Sequence, residues 1–165
     1  MTRGPILAGL CLALAAGTLG GCGSGSESEV TREDYLAEGD AVCAEAQVES
    51  AEFARRGQEI ESRRGTITDE ELLQQAADLW DEQIQFAERF RDRFADLDAP
   101  PGDEARVRVF LESIDDGIGV GREIQDALAD GEEPSGELVQ SYTSIAVRGN
   151  TLAQAYGFQV CGGSR

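Results

Sequence analysis

The sequence predicts an all-α protein, an antiparallel up-down-up-down four-helix bundle with one disulfide, and three observations carry that reading. Beyond residue 30, four segments repeat their apolar residues with a period of about 3.6 and none alternates as a half-buried strand would. The connections between them are a few residues long and contain helix-stopping residues, so consecutive helices run antiparallel. Finally, Cys43 and Cys161 fall in the first segment and just after the last, at the end of the bundle where that topology brings the chain back to its start.

The first helix is expected over residues 31–64. Leu36, Cys43, Ser50 and Gly57 recur every seven residues and interleave with Gly39, Ala46, Phe53 and Ile60 to make one continuous stripe. The second starts at Thr68, which stands three residues before Glu71 with the spacing of a capping box. Its stripe runs through Leu73, Ala76, Trp80, Gln83, Ala87, Phe90, Phe94 and Leu97, broadened by Ile84 and Phe86, and Pro100 and Pro101 stop it. The third, over residues 103–130, carries Val107, Phe110, Ile114, Gly117, Gly121, Ile124 and Leu128. The fourth, over residues 135–156, carries Leu138, Tyr142, Ile145, Gly149, Leu152 and Tyr156, with Gly157 as its stop.

The cysteines fit this topology. Cys43 lies two turns below Leu36, about 10 Å at 1.5 Å per residue. Cys161 follows the Gly157 stop by four residues, enough chain to fold back about that far at some 3.3 Å each. The two thiols can therefore meet, with two separate buried thiols as the alternative.

The chain begins Met1-Thr2-Arg3 and continues into an uncharged apolar run from Ile6 to Leu19, the pattern of a secretory signal. That run is shorter than the roughly 20 residues of a spanning helix and is interrupted by Gly9 and Gly17. Leu19-Gly20-Gly21-Cys22 resembles the lipobox of bacterial lipoproteins. The resemblance implies cleavage after residue 21, a diacylglycerol on the Cys22 thiol, and a location on the outer face of the cell membrane. With Cys11 in the signal and Cys22 acylated, Cys43 and Cys161 remain as the pair for a disulfide, which an extracytoplasmic address permits. Arginine without lysine, abundant alanine and glycine, and the closing Phe158-Gln159-Val160-Cys161-Gly162 make the chain similar to small helical actinobacterial lipoproteins. The expected domains are a signal peptide over 1–21, a lipidated Gly/Ser/Glu tether over 22–30, and the bundle over 31–165.

A net charge of −18 repels nucleic acid and anionic headgroups, so neither is an expected partner beyond the membrane held through Cys22. The sequence contains no histidine, which removes His-based triads, imidazole zinc sites and Glu-x-x-His di-iron pairs. Met1 is its only methionine, so haem and copper lack their usual donors, and no cofactor or metal is expected. Glu38, Glu45, Glu52 and Glu59 recur every seven residues beside the apolar stripe, as a solvated face or a surface for cations or a partner. The run Asp115 to Glu123 matches neither a dinucleotide loop nor a calcium loop. An enzyme would have to use Tyr142, Ser50 or exposed acids, and no sheltered carboxylate accompanies them.

Registering the helices from their common end brings Ser50, Gln83, Gly121 and Tyr142 to one level, with Gly117 and Gly149 within two turns. This small, polar middle predicts either close helix approach with a Gln83–Tyr142 hydrogen bond or a cavity for a small apolar or amphipathic molecule. Functionally the sequence points to a non-enzymatic binding or interaction module of unknown protein or small-molecule partner. The alternative is a carrier of a small apolar ligand or a divalent cation at the cell envelope.

Overall fold

A computed structural model of the chain describes residues 29–163. The expected signal segment, the Leu19–Cys22 motif and the expected acylation of Cys22 lie outside the described residues, as do residues 164 and 165. The described residues form a four-helix, all-α bundle: α1 (Arg32–Ser62), α2 (Asp69–Ala95), α3 (Glu104–Ala129) and α4 (Gly136–Tyr156). None of these helices is long and apolar enough to cross a membrane.

Local chemistry sets the helix ends where the sequence places them. Thr31 and Asp34 form a capping box at the start of α1, Thr68 and Glu71 form the expected one at α2, and the Ser135 hydroxyl caps α4. Gly157 ends α4 with φ of 121°, a conformation that only glycine takes without strain. At α3 the side chain of the nominal cap, Asp103, accepts from no backbone amide of the first turn. Its carboxylate instead accepts the Tyr156 hydroxyl at 3.1 Å and faces Arg32 at 3.8 Å, tying the start of α3 to the end of α4 and the start of α1.

The apolar residues divide into two cores. The upper one, at the disulfide end, joins Tyr35, Val42 and Cys43 of α1 to Phe94, Val107, Phe110, Ala153 and Tyr156, with Phe158 from the tail at its centre. Phe158 stands between the ends of α1 and α4 and packs against Phe94, Phe110, Tyr35 and Tyr156, with ring centroids 5.2–6.0 Å apart. Three successive amides of the tail, those of Gln159, Val160 and Cys161, donate to the Asp40 carboxylate on α1, the Val160 amide at 2.8 Å. Cys43 and Cys161 are bonded, their Cα atoms 5.1 Å apart. The lower core contains Ala77, Ile124 and Leu128 with Leu73, Trp80, Leu138 and Tyr142 around them, and α1 contributes nothing to it.

That division reflects an incomplete ring of helices. The pairs α1–α2, α2–α3 and α3–α4 pack along their lengths, whereas α1 and α4 meet only at the disulfide end, where Tyr35 stands edge-on to Tyr156 at 5.7 Å. The continuous stripe expected along α1 is therefore buried only through Tyr35, Gly39, Val42 and Cys43, and Ser50 below it is exposed. Lower α1 is held to α2 alone. Phe53 tilts against Phe86 at 5.6 Å, and Glu45–Arg93, Glu49–Arg89 and Arg56–Glu82 bridge the two helices at 2.7, 3.7 and 2.5 Å. The acidic line is thus a solvated face with arginine partners, since Glu52 and Glu59 both pair with Arg55.

In the upper core the Tyr35 hydroxyl is buried without a hydrogen-bond partner among the described residues. Burial raises the pKa of Tyr35 to about 12, and burial with the Asp103 contact raises that of Tyr156 to about 12. Both folded-state values lie above the unfolded one, so this contribution to stability is complete below about pH 10 and is lost as pH climbs through about 12. Alkaline titration followed by circular dichroism is expected to show the helices melting in that window. Tyr35→Phe removes the orphaned hydroxyl and is expected to raise stability by about 1 kcal/mol at neutral pH and to shift the alkaline midpoint upward. A destabilised Tyr35→Phe protein would mean that the hydroxyl is satisfied in solution.

Candidate functional site: the open seam between α1 and α4

In the lower half, where α1 and α4 do not meet, a groove of about 680 Å³ runs down the side of the bundle. One wall is lower α1, with Phe53, Gly57 and Ile60, and the floor is α2, with Leu73, Trp80 and Phe86. Tyr142 of α4 forms the opposite side, its ring edge-on to Trp80 at 5.0 Å. From Ser50 to Arg64 the wall spans about 21 Å at 1.5 Å per residue.

Helical periodicity explains why these side chains line the groove. The stripe read along α2 points at the bundle axis, but in the lower half the axis is open on the α1–α4 side. Trp80, Gln83, Phe86 and Ala87 are accordingly half-buried, while Leu72, Ala77, Leu79 and Ile84 on the flanks of that stripe are buried between helices. The aromatic run divides in the same way: Phe94 is fully enclosed at 0% exposure, whereas Phe86 and Phe90 are half-buried.

The residues of the expected small, polar middle separate into three roles. Ser50, Gln83 and Tyr142 line the main groove. Ser50 and Tyr142 also border its upward continuation of about 330 Å³, with Gly117 and Gly149, toward the Cys43–Cys161 disulfide. Gly121 lines neither space. It is buried, and a Cβ there would sit 3.6–3.8 Å from Ile84, Trp80 and Tyr142, so a larger side chain would overpack the α2–α3–α4 contact rather than fill a cavity. No hydrogen bond joins Gln83 to Tyr142 among the described residues, because Tyr142 packs on Trp80 instead. Gly117 and Gly149 provide close α3–α4 approach: a Cβ on them would lie 3.6 Å from Ile145 and 3.5 Å from the Ser113 hydroxyl.

At its lower end the groove opens between Glu61, Arg64 and Glu133. Arg64 bonds Glu61 at 2.7 Å and reaches Glu133, in the α3–α4 connection, at 3.6 Å, spanning the seam where the helices do not. The Arg64 hydrogen bond holds the Glu61 carboxyl below its ordinary pKa, and burial holds the Tyr142 hydroxyl above its own. No family model, curated protein or solved structure matches the chain. The groove walls are aromatic and aliphatic, its few polar groups are Ser50, Gln83, the Tyr142 hydroxyl and the ions at the mouth, and no group of three or more potential metal ligands occurs among the described residues.

Sequence periodicity named Phe53, Ile60, Trp80 and Phe86 as core and did not mark them as a groove wall. Nothing in the sequence singled out Glu61, Arg64 and Glu133, because the contact across the mouth joins a helix end to a connection about seventy residues away.

Proposed function

We propose that this chain is a membrane-anchored extracytoplasmic lipoprotein, attached through Cys22, whose bundle is a non-enzymatic binding module that holds a small apolar molecule in the α1–α4 groove. The groove carries the reading. Its volume lies within the roughly 300–1,000 Å³ of small-molecule sites, and it combines aromatic walls with few polar groups, as such sites do. The anchoring half rests on the lipobox-like Leu19-Gly20-Gly21-Cys22 and the apolar run before it. Among the described residues no three acidic side chains stand close enough together to hold a metal ion, so the apolar ligand is the reading the geometry favours.

Gly57→Leu tests the site. A Cβ at Gly57 meets only Leu79, at 3.8 Å, so a leucine there projects into the groove without disturbing packing, and a helical glycine is removed at the same time. Native mass spectrometry of the periplasmic protein is expected to show extra mass that is lost on denaturation. In Gly57→Leu, ligand affinity should fall by roughly tenfold or more while helicity is kept. Retention of the same ligand by the variant would exclude the groove. Cys22→Ala is expected to move the protein from the membrane to the soluble fraction, and a Cys22→Ala protein that stays lipid-anchored would overturn the anchoring.

A further inference from the structure

We infer that the groove selects a cationic amphiphile, an alkyl chain ending in an ammonium group, with the chain against Phe53, Trp80 and Phe86 and the ammonium at the mouth between Glu61 and Glu133. The inference rests on the groove being a ligand site and adds which ligand class it accepts.

Charge complementarity decides the class. The groove is electrically one-sided. Its upward continuation toward the disulfide is bordered by neutral groups such as Ser50, Gln47 and Asn150, with no charged side chain among the lining residues. The lower mouth is acidic, because the end of α1, the start of α2, the end of α3 and the start of α4 meet there. Residues 59–71 and 126–137 contain ten carboxylates and only two guanidiniums, Arg63 and Arg64. Arg63 is turned to Gln75, and Arg64 is the one cation on the groove lining, shared between Glu61 and Glu133.

The sharing is unequal. Glu61 holds Arg64 at 2.7 Å, whereas Glu133 faces it at 3.6 Å and keeps most of its surface exposed, so Glu133 is the carboxylate available to an incoming ammonium. An anionic head at the same place would meet two carboxylates within the local field of the others. The ligand thus enters chain first toward Ser50 and leaves its charge at the acidic end.

The chain's single tryptophan, Trp80, forms the groove floor, so its fluorescence reports occupancy there directly. The full oxidised chain carrying Cys22→Ala is titrated with three twelve-carbon probes below their micellar concentrations: dodecyltrimethylammonium, dodecyl maltoside and dodecanoate. Circular dichroism confirms that helicity is kept. The ammonium probe is expected to saturate one site with an affinity at least roughly fivefold above the maltoside, and dodecanoate to bind most weakly, since one favourable exposed charge contact corresponds to a few-fold in affinity.

Glu61→Gln with Glu133→Gln should lower ammonium affinity several-fold and leave the maltoside unchanged. Arg64→Gln should raise ammonium affinity by freeing both carboxylates. All three are exposed side chains, so these variants keep the fold. High salt should compress the differences among probes. Equal affinities for the three probes, or tighter binding of dodecanoate, would overturn the charge selection and leave the apolar site standing. No Trp80 response to any probe would overturn both. A Trp80 spectrum that changes with protein concentration alone would mean that a second copy covers the groove, which also overturns the assignment.

Discussion

Reduction of the Cys43–Cys161 disulfide is expected to lower the unfolding free energy by about 4–5 kcal/mol and the melting temperature by roughly 15–20 °C. The bond closes a loop with a sequence separation of 118 residues, and the constraint it places on the unfolded chain grows with that length. The native side of the balance points the same way. The bond fixes the tail that carries Phe158 into the centre of the upper core, and that core alone joins all four helices. Against a total stability of about 5–15 kcal/mol for a domain of this size, the loss is a large fraction. Thermal unfolding of the oxidised chain, the reduced chain and Cys43→Ala measures it. A melting temperature that moves by less than about 5 °C would show that the Asp40 carboxylate and Phe158 hold the tail without the bond.

The other large effect is expected at Gly39, where replacing glycine by alanine should destabilise the protein even though alanine is the better helix former. In an open helical position the exchange favours folding by about 1 kcal/mol. At Gly39 the added Cβ would fall 3.0 Å from Phe158 Cζ and Phe94 Cε1, and closer still to Phe158 Cε1. The residues that would have to yield are rings packed on every side, since Phe94 is 0% exposed and Phe158 4%. Overpacking of this kind costs about 1–3 kcal/mol. With the tail displaced as well, we expect a net loss of about 2–3 kcal/mol for Gly39→Ala. Gly119→Ala is the matched control. Gly119 is helical and exposed with nothing near its Cβ position, so that variant should gain about 1 kcal/mol. Urea unfolding of both variants separates packing from helix propensity, and equal responses would remove the wedge argument for Phe158.

The helices were legible because their signals are local. Thr68 and Glu71 interact over three residues, and Gly157 stops α4 through its own backbone angle, so neither depends on a distant neighbour. The stripe on α1 was legible only as a direction. Its spacing correctly points Gly39 and Cys43 at the bundle axis, and equally points Ser50, Gly57 and Ile60 there, although nothing from α4 arrives to cover them. Periodicity records which way a side chain faces and carries no information on how far away the next helix stands. Tyr35 and Asp40 escaped notice for a related reason. One is buried by a tail residue and the other holds tail amides, and both contacts span about 120 positions.

By itself, then, the sequence determined that the chain makes four antiparallel helices, where they begin and end, and that Cys43 can reach Cys161, because periodicity, caps and short connections act within a few residues. Only the tertiary structure decided that the bundle is open on one side. At the disulfide end Phe158 packs on both Tyr35 and Tyr156, and α1 and α4 meet there. Below that end α4 does not approach α1, and Ser50, Ala54 and Gly57 of α1 line the open groove. The groove, its aromatic floor at Trp80 and its acidic mouth at Glu61 and Glu133 follow from that separation, which is a balance of packing among residues far apart in the chain.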